Sequence, residues 1–556
     1  MKRLRDFWRR RKAFRLAVYA TAGLVVTAAI LDRVLDRPLK GIVERRMNEH
    51  LVGYTAHVGR SNFHVIGLAL VLEGVAVSQN AHPDPPVIDI PRLRMSVHWT
   101  DLLVLRVVAD ATFDDARIHA DLEQLQEEHR DPVPISKRGW QLALESIYPL
   151  KINELKVRNA SVVYQESSGS KPLELSAVEL IAKNIRNIRS KHRTYPSSIH
   201  GRAKVFEVGT AEIDGHADFL AEPAPGVIGR LDLDRVELSY FQPIADRLGW
   251  TVREGFLSGS GAVEWAPPKI QVVDLDFVDI TGASLEYKSG GAPTPLAKAA
   301  GARVSEVAKT SLNNPQVLVR LRRVAVKDGS LKVVNTAEDP PYHLDFTHAD
   351  GEIVNVSSLA EDGPAKATLT ADFMGSGSMK ADATFFPEGK HANVAGKLVI
   401  KDTPLASMNA LLRAKGKFDV AEGKFDLYSE FRVRDGRVQG YVKPLFRDIE
   451  VYESDQDKHK NVFKKMYEGI VGGLAKMLEN QRGEVATVTS LDGPLEDPKA
   501  DAMQALGGLL RNAFAKAILP GFQNEIRRLE PYKYRVAIKK ERKAKEREED
   551  EEARPH

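Results

Sequence analysis

The chain has 556 residues, of which 43% are hydrophobic and 28% charged, a composition typical of folded rather than disordered proteins. Its formal net charge is only +4, so no global basic field favours binding to nucleic acid. The absence of cysteine excludes a disulfide framework, thiolate metal sites and a cysteine nucleophile.

The N-terminus predicts a membrane anchor. Residues 1–12 are strongly basic, and the run Leu16–Leu31 contains no charged residue. Residues 13–31 are therefore just long enough to cross a bilayer as a helix. The basic flank belongs on the cytoplasmic side, so the rest of the chain is expected across the membrane. The small-x-small triplet at residues 20–22 falls inside the apolar run, and we favour an uncleaved anchor over a cleaved signal peptide.

Residues 32–54 are predicted to form a short amphipathic connector. Beyond them, the chain consists of short alternating strands, which predicts a first β-repeat region at 55–355 and a second at 356–455. Residues 456–535 follow as a C-terminal cap of helices and strands, in which apolar residues at helical spacing predict two amphipathic helices. The last segment, 536–556, is of mixed charge and is predicted to be disordered.

A 13-residue sequence repeat occurs four times in the first β-repeat region. Each copy begins with an apolar residue, has further apolar residues at steps three, five, ten and twelve, and has Ala or Gly at step eight. Four copies in register make chance resemblance among β-rich segments a poor explanation. The copies are VADATFDDARIHA (108–120), INELKVRNASVVY (152–164), LDFVDITGASLEY (275–287) and LRRVAVKDGSLKV (321–333).

We interpret each copy as a β-hairpin with a two-residue loop, at Asp115-Ala116, Asn159-Ala160, Gly282-Ala283 and Asp328-Gly329. Each loop begins with a residue that tolerates positive φ, as primed hairpin turns require. Pairing outward from the loops places the apolar residues on one face and mostly polar residues on the other. The residues predicted to line this apolar face are Phe113, Ile118, Leu155, Val157, Val162, Tyr164, Val278, Ile280, Leu285, Tyr287, Val324, Val326, Leu331 and Val333.

Two further patterns recur. The triplet Asp-Pro-Pro at 84–86 and again at 339–341 is interpreted as the end of one strand and the start of the next, because proline cannot donate to a β-ladder. The segments Phe241–Trp265 and Asp402–Phe431 share a proline, a helix-like stretch and an apolar-x-Glu-Gly-x-apolar motif. We interpret both as strand, short helix over a sheet edge or end, and return strand.

Motifs of catalysis are missing from the sequence. It has no glycine-rich phosphate loop, no H-E-x-x-H and no G-x-S-x-G, and its histidines are scattered. No catalytic residue, metal ligand or cofactor is therefore predicted. The basic run Arg186–Arg193 lacks the aromatic residues that stack on bases, and we interpret it as a solvated loop.

Together these features resemble the AsmA-like family of bacterial envelope proteins, in a branch of uncharacterised function. The resemblance covers nearly the whole chain and depends on the order of its motifs: the basic N-terminus with its apolar span, Ile66–Trp99, INELKVRNASVVYQE, GYVKPLF (440–446), and DGPLEDP followed by LLRNAFAKAILPGF. The family is related to bridge-like lipid-transfer proteins, and its members are anchored in the inner membrane and extend a curled β-sheet into the periplasm.

The resemblance implies a mostly β fold: an elongated, curled, groove-like repeat sheet with one N-terminal transmembrane helix and C-terminal amphipathic helices. It also implies a single-pass protein of the bacterial inner membrane with a cytoplasmic N-terminus, a bulk in the periplasm, and phospholipid as its partner. At ~4.8 Å per strand, about 25 to 30 strands reach roughly 120–145 Å. That is short for a whole envelope, so a further envelope protein at the distal end is expected.

The expected function is non-enzymatic: shielding lipid tails in an apolar β-groove during phospholipid transfer between the two membranes and outer-membrane biogenesis. An apolar sheet face must be covered, by acyl chains or by a second sheet. The alternative is therefore a periplasmic scaffold or assembly factor for outer-membrane proteins with a closed β-core. A third reading, an envelope hydrolase, requires side chains distant in sequence to meet in an acid–base cluster.

Overall fold

The computed structural model confirms a mostly β protein, in which the described residues include 21 strands with both antiparallel and parallel pairings. The chain divides into two compact units. Unit 1 comprises Met1–Tyr287, Ala292–Leu331 and Ala349–Lys366, and unit 2 comprises Lys288–Gly291, Lys332–His348 and Ala367–His556. The residues that the structure describes are 38–64, 67–97, 108–121, 151–165, 171–185, 194–219, 221, 225–246, 249–266, 270–289, 317–386, 393–416, 419–434, 437–451, 484–486 and 489–494.

Unit 1 opens with helix α1 at 38–50 and contains a short helix α2, Gln242–Asp246, which a 3-10 turn at Leu238–Phe241 precedes. Its strands are β1 Tyr54–His64, β2 Ala69–Gln79, β3 Ile88–Val97, β4 Val108–Asp114, β5 Arg117–Asp121, β6 Lys151–Gln165, β7 Leu173–Ile185, β8 Ser197–Val205, β9 Gly209–Asp218, β10 Gly226–Glu237, β11 Trp250–Ala266 and β12 Ile270–Ser289, the last of which ends just beyond the unit boundary.

Strands β13 Val317–Asn335, β14 Tyr342–Ser357 and β15 Ala365–Phe373 contribute residues to both units. Unit 2 continues with helix α3, Asn409–Gly416, which follows a 3-10 turn at Leu405–Met408. Its remaining strands are β16 Gly377–Phe386, β17 Asn393–Pro404, β18 Val420–Arg434, β19 Arg437–Val451, β20 Glu484–Ala486 and β21 Thr489–Pro494.

Neighbours in sequence pair antiparallel along most of the sheet. In unit 1 this holds from β1 to β4 and from β6 to β12, and in unit 2 from β16 to β19. The exception is β6, which lies parallel to both β4 and β5. The triplets at 84–86 and 339–341 fall between β2 and β3 and between β13 and β14, so their predicted place between strands is confirmed.

The four predicted hairpins are wrong, because each predicted loop is an irregularity in a chain that continues in the same direction. Asn159 lies inside β6, Gly282 inside β12 and Asp328 inside β13. Asp115 separates β4 from β5, and both of these pair with β3 and β6. All four residues have φ between 50° and 61°. Asn159 and Gly282 adjoin register shifts that mark β-bulges, and Asp115 lies at a break between two strands. Such positions need the same left-handed backbone as the predicted turns.

The bulges explain why the apolar residues nevertheless share a face. Side chains alternate along a strand, and one extra residue reverses the alternation. In each copy of the 13-residue repeat, two apolar residues at odd-numbered steps (three and five) precede the left-handed residue. Two apolar residues at even-numbered steps (ten and twelve) follow it. In β6, for example, the register slips on both sides of Ala160, so that Val157 and Val162 point to the same side. The repeated unit is therefore one bulged strand that keeps a single apolar side.

Helix α1 covers that face at the N-terminal end of unit 1. Val43, Met47 and Leu51 are at most 8% exposed and pack on the apolar side of β1–β3, where Val58 and Leu72 are fully buried. Complete burial of a side chain of this size stabilises the fold by about 1.5–3 kcal/mol relative to exposure. Of the connector predicted at 32–54, the structure describes residues 38–54: helix α1 occupies 38–50, and Tyr54 already belongs to β1.

The two predicted strand–helix–strand units are confirmed. Helix α2 joins β10 to β11 in unit 1, and helix α3 joins β17 to β18 in unit 2. In unit 2, the helical residues Leu405, Met408 and Leu412 are at most 1% exposed, beside the fully buried Phe425 of β18. These short helices therefore cover apolar residues where a strand ends and the next begins.

Asparagine side chains of α1 and α3 each form two hydrogen bonds with the backbone of one strand residue, as a neighbouring strand would. Asn48 of α1 accepts a hydrogen bond from Ala56 N (2.8 Å) and donates one to Ala56 O (2.9 Å). In unit 2, Asn409 of α3 makes the same pair of hydrogen bonds with Val420, both at 2.9 Å. Each amide satisfies both polar groups of one strand residue, which would cost free energy if buried without partners.

The predicted basic segment 1–12, the anchor 13–31, the two amphipathic helices of the 456–535 cap and the charged tail 536–556 lie outside the described residues. Of that cap, the structure describes only the strand residues of β20 and β21, which both pair with β19.

Candidate functional site

The apolar face of unit 1 is the candidate site, and we define it by the cross-strand row Phe113, Val157, Leu180, Ile213 and Leu231. Phe113 lies beside Val157, and Val157 opposite Leu180. The row continues through Gly201, which lies opposite both Leu180 and Ile213, to Leu231 opposite Ile213. Paired residues point to the same side of a sheet, so the row crosses β4 to β10 without changing face.

Ten of the predicted groove residues are brought onto this face by the register of unit 1. Phe113 and Ile118 neighbour Val157 and Val162 on the parallel strand β6. Farther along, β12 places its predicted residues opposite small or apolar residues of β11. The ten residues are Phe113, Ile118, Leu155, Val157, Val162, Tyr164, Val278, Ile280, Leu285 and Tyr287, of which the last four face Gly259, Leu257, Val252 and Trp250.

The other four predicted residues, Val324, Val326, Leu331 and Val333, lie along β13 and are half-buried. The ten predicted groove residues named above are also half-buried, except Ile118, which is 42% exposed. Large apolar side chains that remain part-exposed along successive strands form a surface that an apolar partner can bind.

Two glycines leave a shallow depression in the middle of the apolar face, because they have no side chains. Gly215 and Gly229 lie opposite each other on β9 and β10. A Cβ on Gly215 would lie 2.1 Å from Ile228 O and 2.5 Å from Gly229 Cα. The two backbones therefore approach more closely than any other residue type permits, and the face has no side chain there.

The opposite side of the sheet, which we call the charged face, is held together by ion pairs. Arg320 donates to Asp362 (2.7 Å) and Asp274 (3.3 Å), and Arg322 donates to Asp274 and Asp276. Ser357 and Arg320, in that order, hold the pKa of the Asp362 carboxyl below its usual range, and Asp362 in turn raises the pKa of Arg320. The two faces of unit 1 thus differ sharply in chemistry.

The charged face also carries a polar cavity of about 300 Å³ between β3, β4 and β6. Its charges are largely paired with each other: Lys156 contacts Glu154 at 2.5 Å and Arg158 contacts Asp114 at 3.8 Å. Mutual pairing leaves little free charge for a ligand. The lining residues are Arg92, Arg94, Ser96, Asp110, Ala111, Thr112, Asp114, Glu154, Lys156 and Arg158.

One cluster that the sequence prediction missed is His200, Glu212 and Asp214 on β8 and β9. Their ligand atoms lie within 4.8 Å of one another, and His200 Nδ1 is 2.7 Å from Asp214 Oδ1. Only the antiparallel register brings His200 opposite Asp214, so residue spacing along the chain gives no signal of it. All three side chains are exposed, and Arg202 lies opposite Glu212. An exposed ion pair accounts for the arrangement without a metal.

An aromatic cluster packs next to α2, at the end of β8 and β10. Phe206 stacks on Tyr240 at 4.2 Å between ring centroids, and Phe241 meets Phe206 edge-on at 5.4 Å. Lys171 Nζ lies 3.6 Å above the Tyr240 ring, a cation–π contact. Burial raises the pKa of Tyr240, whereas the interaction with Tyr240 raises that of Lys171. The cluster stabilises this end of the sheet.

None of the helices among the described residues combines the length and apolar character needed to cross a bilayer. The predicted anchor at 13–31 lies outside those residues.

In comparisons with known proteins, no family model matches the chain, and no curated protein matches it.

Proposed function

We propose that this protein is a non-enzymatic, AsmA-like envelope protein that shields lipid tails on the apolar face during phospholipid transfer between the inner and outer membranes. In this proposal residues 13–31 anchor the chain in the inner membrane, the β-sheet lies in the periplasm as an elongated, curled groove, and a further envelope protein receives lipid at its distal end. Neither a cofactor nor nucleic acid takes part.

The observation that carries the proposal is the continuity of a part-exposed apolar face. In unit 1 the face runs from β4 to β12 through successive strand pairings, and its large side chains are mostly half-buried. A single bound small molecule needs a local pocket, whereas a lipid tail needs only a long strip of apolar surface. At Gly215 and Gly229 the apolar face has no side chains, so an acyl chain can lie directly against the backbone there.

The test is the lipid content of the purified full chain. Val157→Glu and Ile280→Glu each place a carboxylate on the apolar face, and we expect both to abolish the phospholipid that co-purifies after gentle extraction, measured by mass spectrometry. Matched controls on neighbouring residues of the other side are Lys156→Glu and Thr281→Glu, which should retain lipid. A wild-type chain without lipid, or equal loss in the controls, would exclude the proposal.

The alternative is a scaffold for outer-membrane proteins with a closed, dry β-core. It predicts that photo-crosslinkers at Leu155 and Val324 capture unfolded barrel proteins, whereas the lipid proposal predicts capture of phospholipid at the same positions. The half-buried state of these side chains supports the lipid proposal, because residues in a closed core would be more fully buried.

A further inference from the structure

The register of three neighbouring strands orders the charges of the polar cavity on the charged face. Strand β3 pairs antiparallel with β4, and β4 pairs parallel with β6. Paired residues point to the same side of a sheet, so each cross-strand row presents three side chains to the cavity. The three rows, read from β3 through β4 to β6, are Arg92 with Asp114 and Arg158, Arg94 with Thr112 and Lys156, and Ser96 with Asp110 and Glu154.

The middle row holds two cations and, from β2 to β7, no carboxylate. Arg94 and Lys156 lie on either side of Thr112, with their backbones about 10 Å apart at ~4.8 Å per strand. The next residues outward in this row are Val71, opposite Arg94, and Ile181, opposite Lys156. The two cations therefore have no acidic neighbour along their own row.

The first row, by contrast, compensates its own charges. Arg158 contacts Asp114 at 3.8 Å. Arg92 lies between Asp114 and Glu73, its neighbours on β4 and β2. A ligand anion in this row would meet a carboxylate beside every guanidinium group, so the first row is a poor seat for an anion.

One cation of the cavity is left over after this pairing. The lining has four cations against three carboxylates, an excess of one positive charge. Lys156 contacts Glu154 of the third row at 2.5 Å, and Lys183 approaches the same carboxylate at 3.9 Å. Arg94 is exposed and, among the described residues, has no ion-pair partner. The excess charge is therefore located at Arg94.

The donor groups around Thr112 fit an oxyanion. A guanidinium presents two parallel N–H donors that match two oxygens of a phosphate, an ammonium adds a second positive charge, and a hydroxyl can donate between them. We propose that Arg94, Thr112 and Lys156 bind a phosphate group in this cavity of about 300 Å³. Free phosphate and the phosphodiester of a lipid headgroup share this chemistry. The site lies on the opposite side of the sheet from the apolar face, so it does not depend on the proposed shielding of lipid tails.

The test is titration calorimetry of the full chain in detergent with inorganic phosphate and, separately, with dimethyl phosphate. We expect Arg94→Gln and Lys156→Gln each to raise the dissociation constant about tenfold, because each removes a charge-assisted hydrogen bond. Arg202→Gln is the matched control, since it removes an arginine of the same face that Glu179 already holds at 2.6 Å. It should change the dissociation constant by less than about twofold, because salt screens distant charges.

The two probes distinguish the sources of the phosphate group. Binding of both probes supports the site with a lipid headgroup as its ligand, because dimethyl phosphate carries the phosphodiester of such a headgroup. Binding of inorganic phosphate alone supports the site with free phosphate as its ligand.

A measurement on the wild type covers the case in which a variant fails to fold, which circular dichroism monitors. Bound phosphate should protect Arg94 from modification by phenylglyoxal and leave Arg202 equally reactive, as read by peptide mass spectrometry. Absence of binding to the wild type, equal weakening by Arg202→Gln, or an unprotected Arg94 would overturn the proposal. Lipid content is measured separately, so a failure here leaves the proposed function to its own test.

Discussion

Two regions of unit 1 use the same apolar face in opposite ways. Over β1–β3, helix α1 covers the face, and Val58 and Leu72 are fully buried. Over β8–β12, the residues of the same face, such as Ile213 and Leu231, are only half-buried. The strands are alike in sequence pattern, so the difference comes from what lies above them. The same face is thus covered by α1 at one end and stays part-exposed along β8–β12.

The largest expected effect comes from truncating matched leucines in the two regions. Leu72→Ala should destabilise the protein by about 2–5 kcal/mol, because it leaves a cavity under α1. Leu231→Ala, at a part-exposed position, should cost about 1 kcal/mol, since little apolar area is lost. Urea unfolding of the full chain measures both values. Equal costs would mean that the face over β10 is as fully covered as the face under α1.

A smaller effect is expected from Gly215→Ala. This substitution tests whether the part-exposed region requires the close approach of the β9 and β10 backbones. The new Cβ would meet Ile228 O at 2.1 Å, and a backbone atom cannot move aside as a side chain can. We expect a cost of about 1–3 kcal/mol. Gly41→Ala in α1 is the control: no atom lies within 4 Å of its Cβ, and it should stabilise by up to ~1 kcal/mol through helix propensity. A harmless Gly215→Ala would contradict the close approach of β9 and β10.

The covering of β1–β3 can also be weakened through Asn48. Asn48→Ala removes both hydrogen bonds to Ala56, and we expect a loss of about 1–3 kcal/mol with faster hydrogen exchange at the Ala56 amide. Asn153→Ala, at an exposed position on β6, should change stability by less than ~0.5 kcal/mol. Unchanged exchange at Ala56 would show that the amide does not hold α1 on the strand.

The smallest effect is a dependence on pH that arises on the charged face. The folded state lowers the pKa of Asp362 below its ordinary 3.8, through Ser357 and then Arg320. A group with a lowered folded pKa contributes stability above its unfolded pKa, and that contribution is lost as pH falls below about 3.8. Asp362→Asn should therefore unfold with a weaker pH dependence in this acid range than the wild type. Identical profiles would mean that solvent screens the interaction, since Asp362 is 21% exposed.

Much of the fold followed from local signals. The β class, the strand–helix–strand units around α2 and α3, and the one-sided distribution of apolar residues were all predicted and observed. The left-handed positions Asp115, Asn159, Gly282 and Asp328 were also identified, yet their role as hairpin turns was wrong. A left-handed residue serves a turn and a bulge equally well, and the choice between them depends on the strands available for pairing, which local sequence does not specify.

Sequence by itself therefore determined which residues of this protein are apolar-facing and where the backbone must be left-handed, because both depend on side-chain alternation and on the conformational range of single residues. Only the tertiary structure decided the parallel pairing of β6, the meeting of His200 with Asp214, and the covering of β1–β3 by α1. Those features arise between segments far apart in the chain, where hydrogen-bond partners and packing, rather than local preference, select the arrangement.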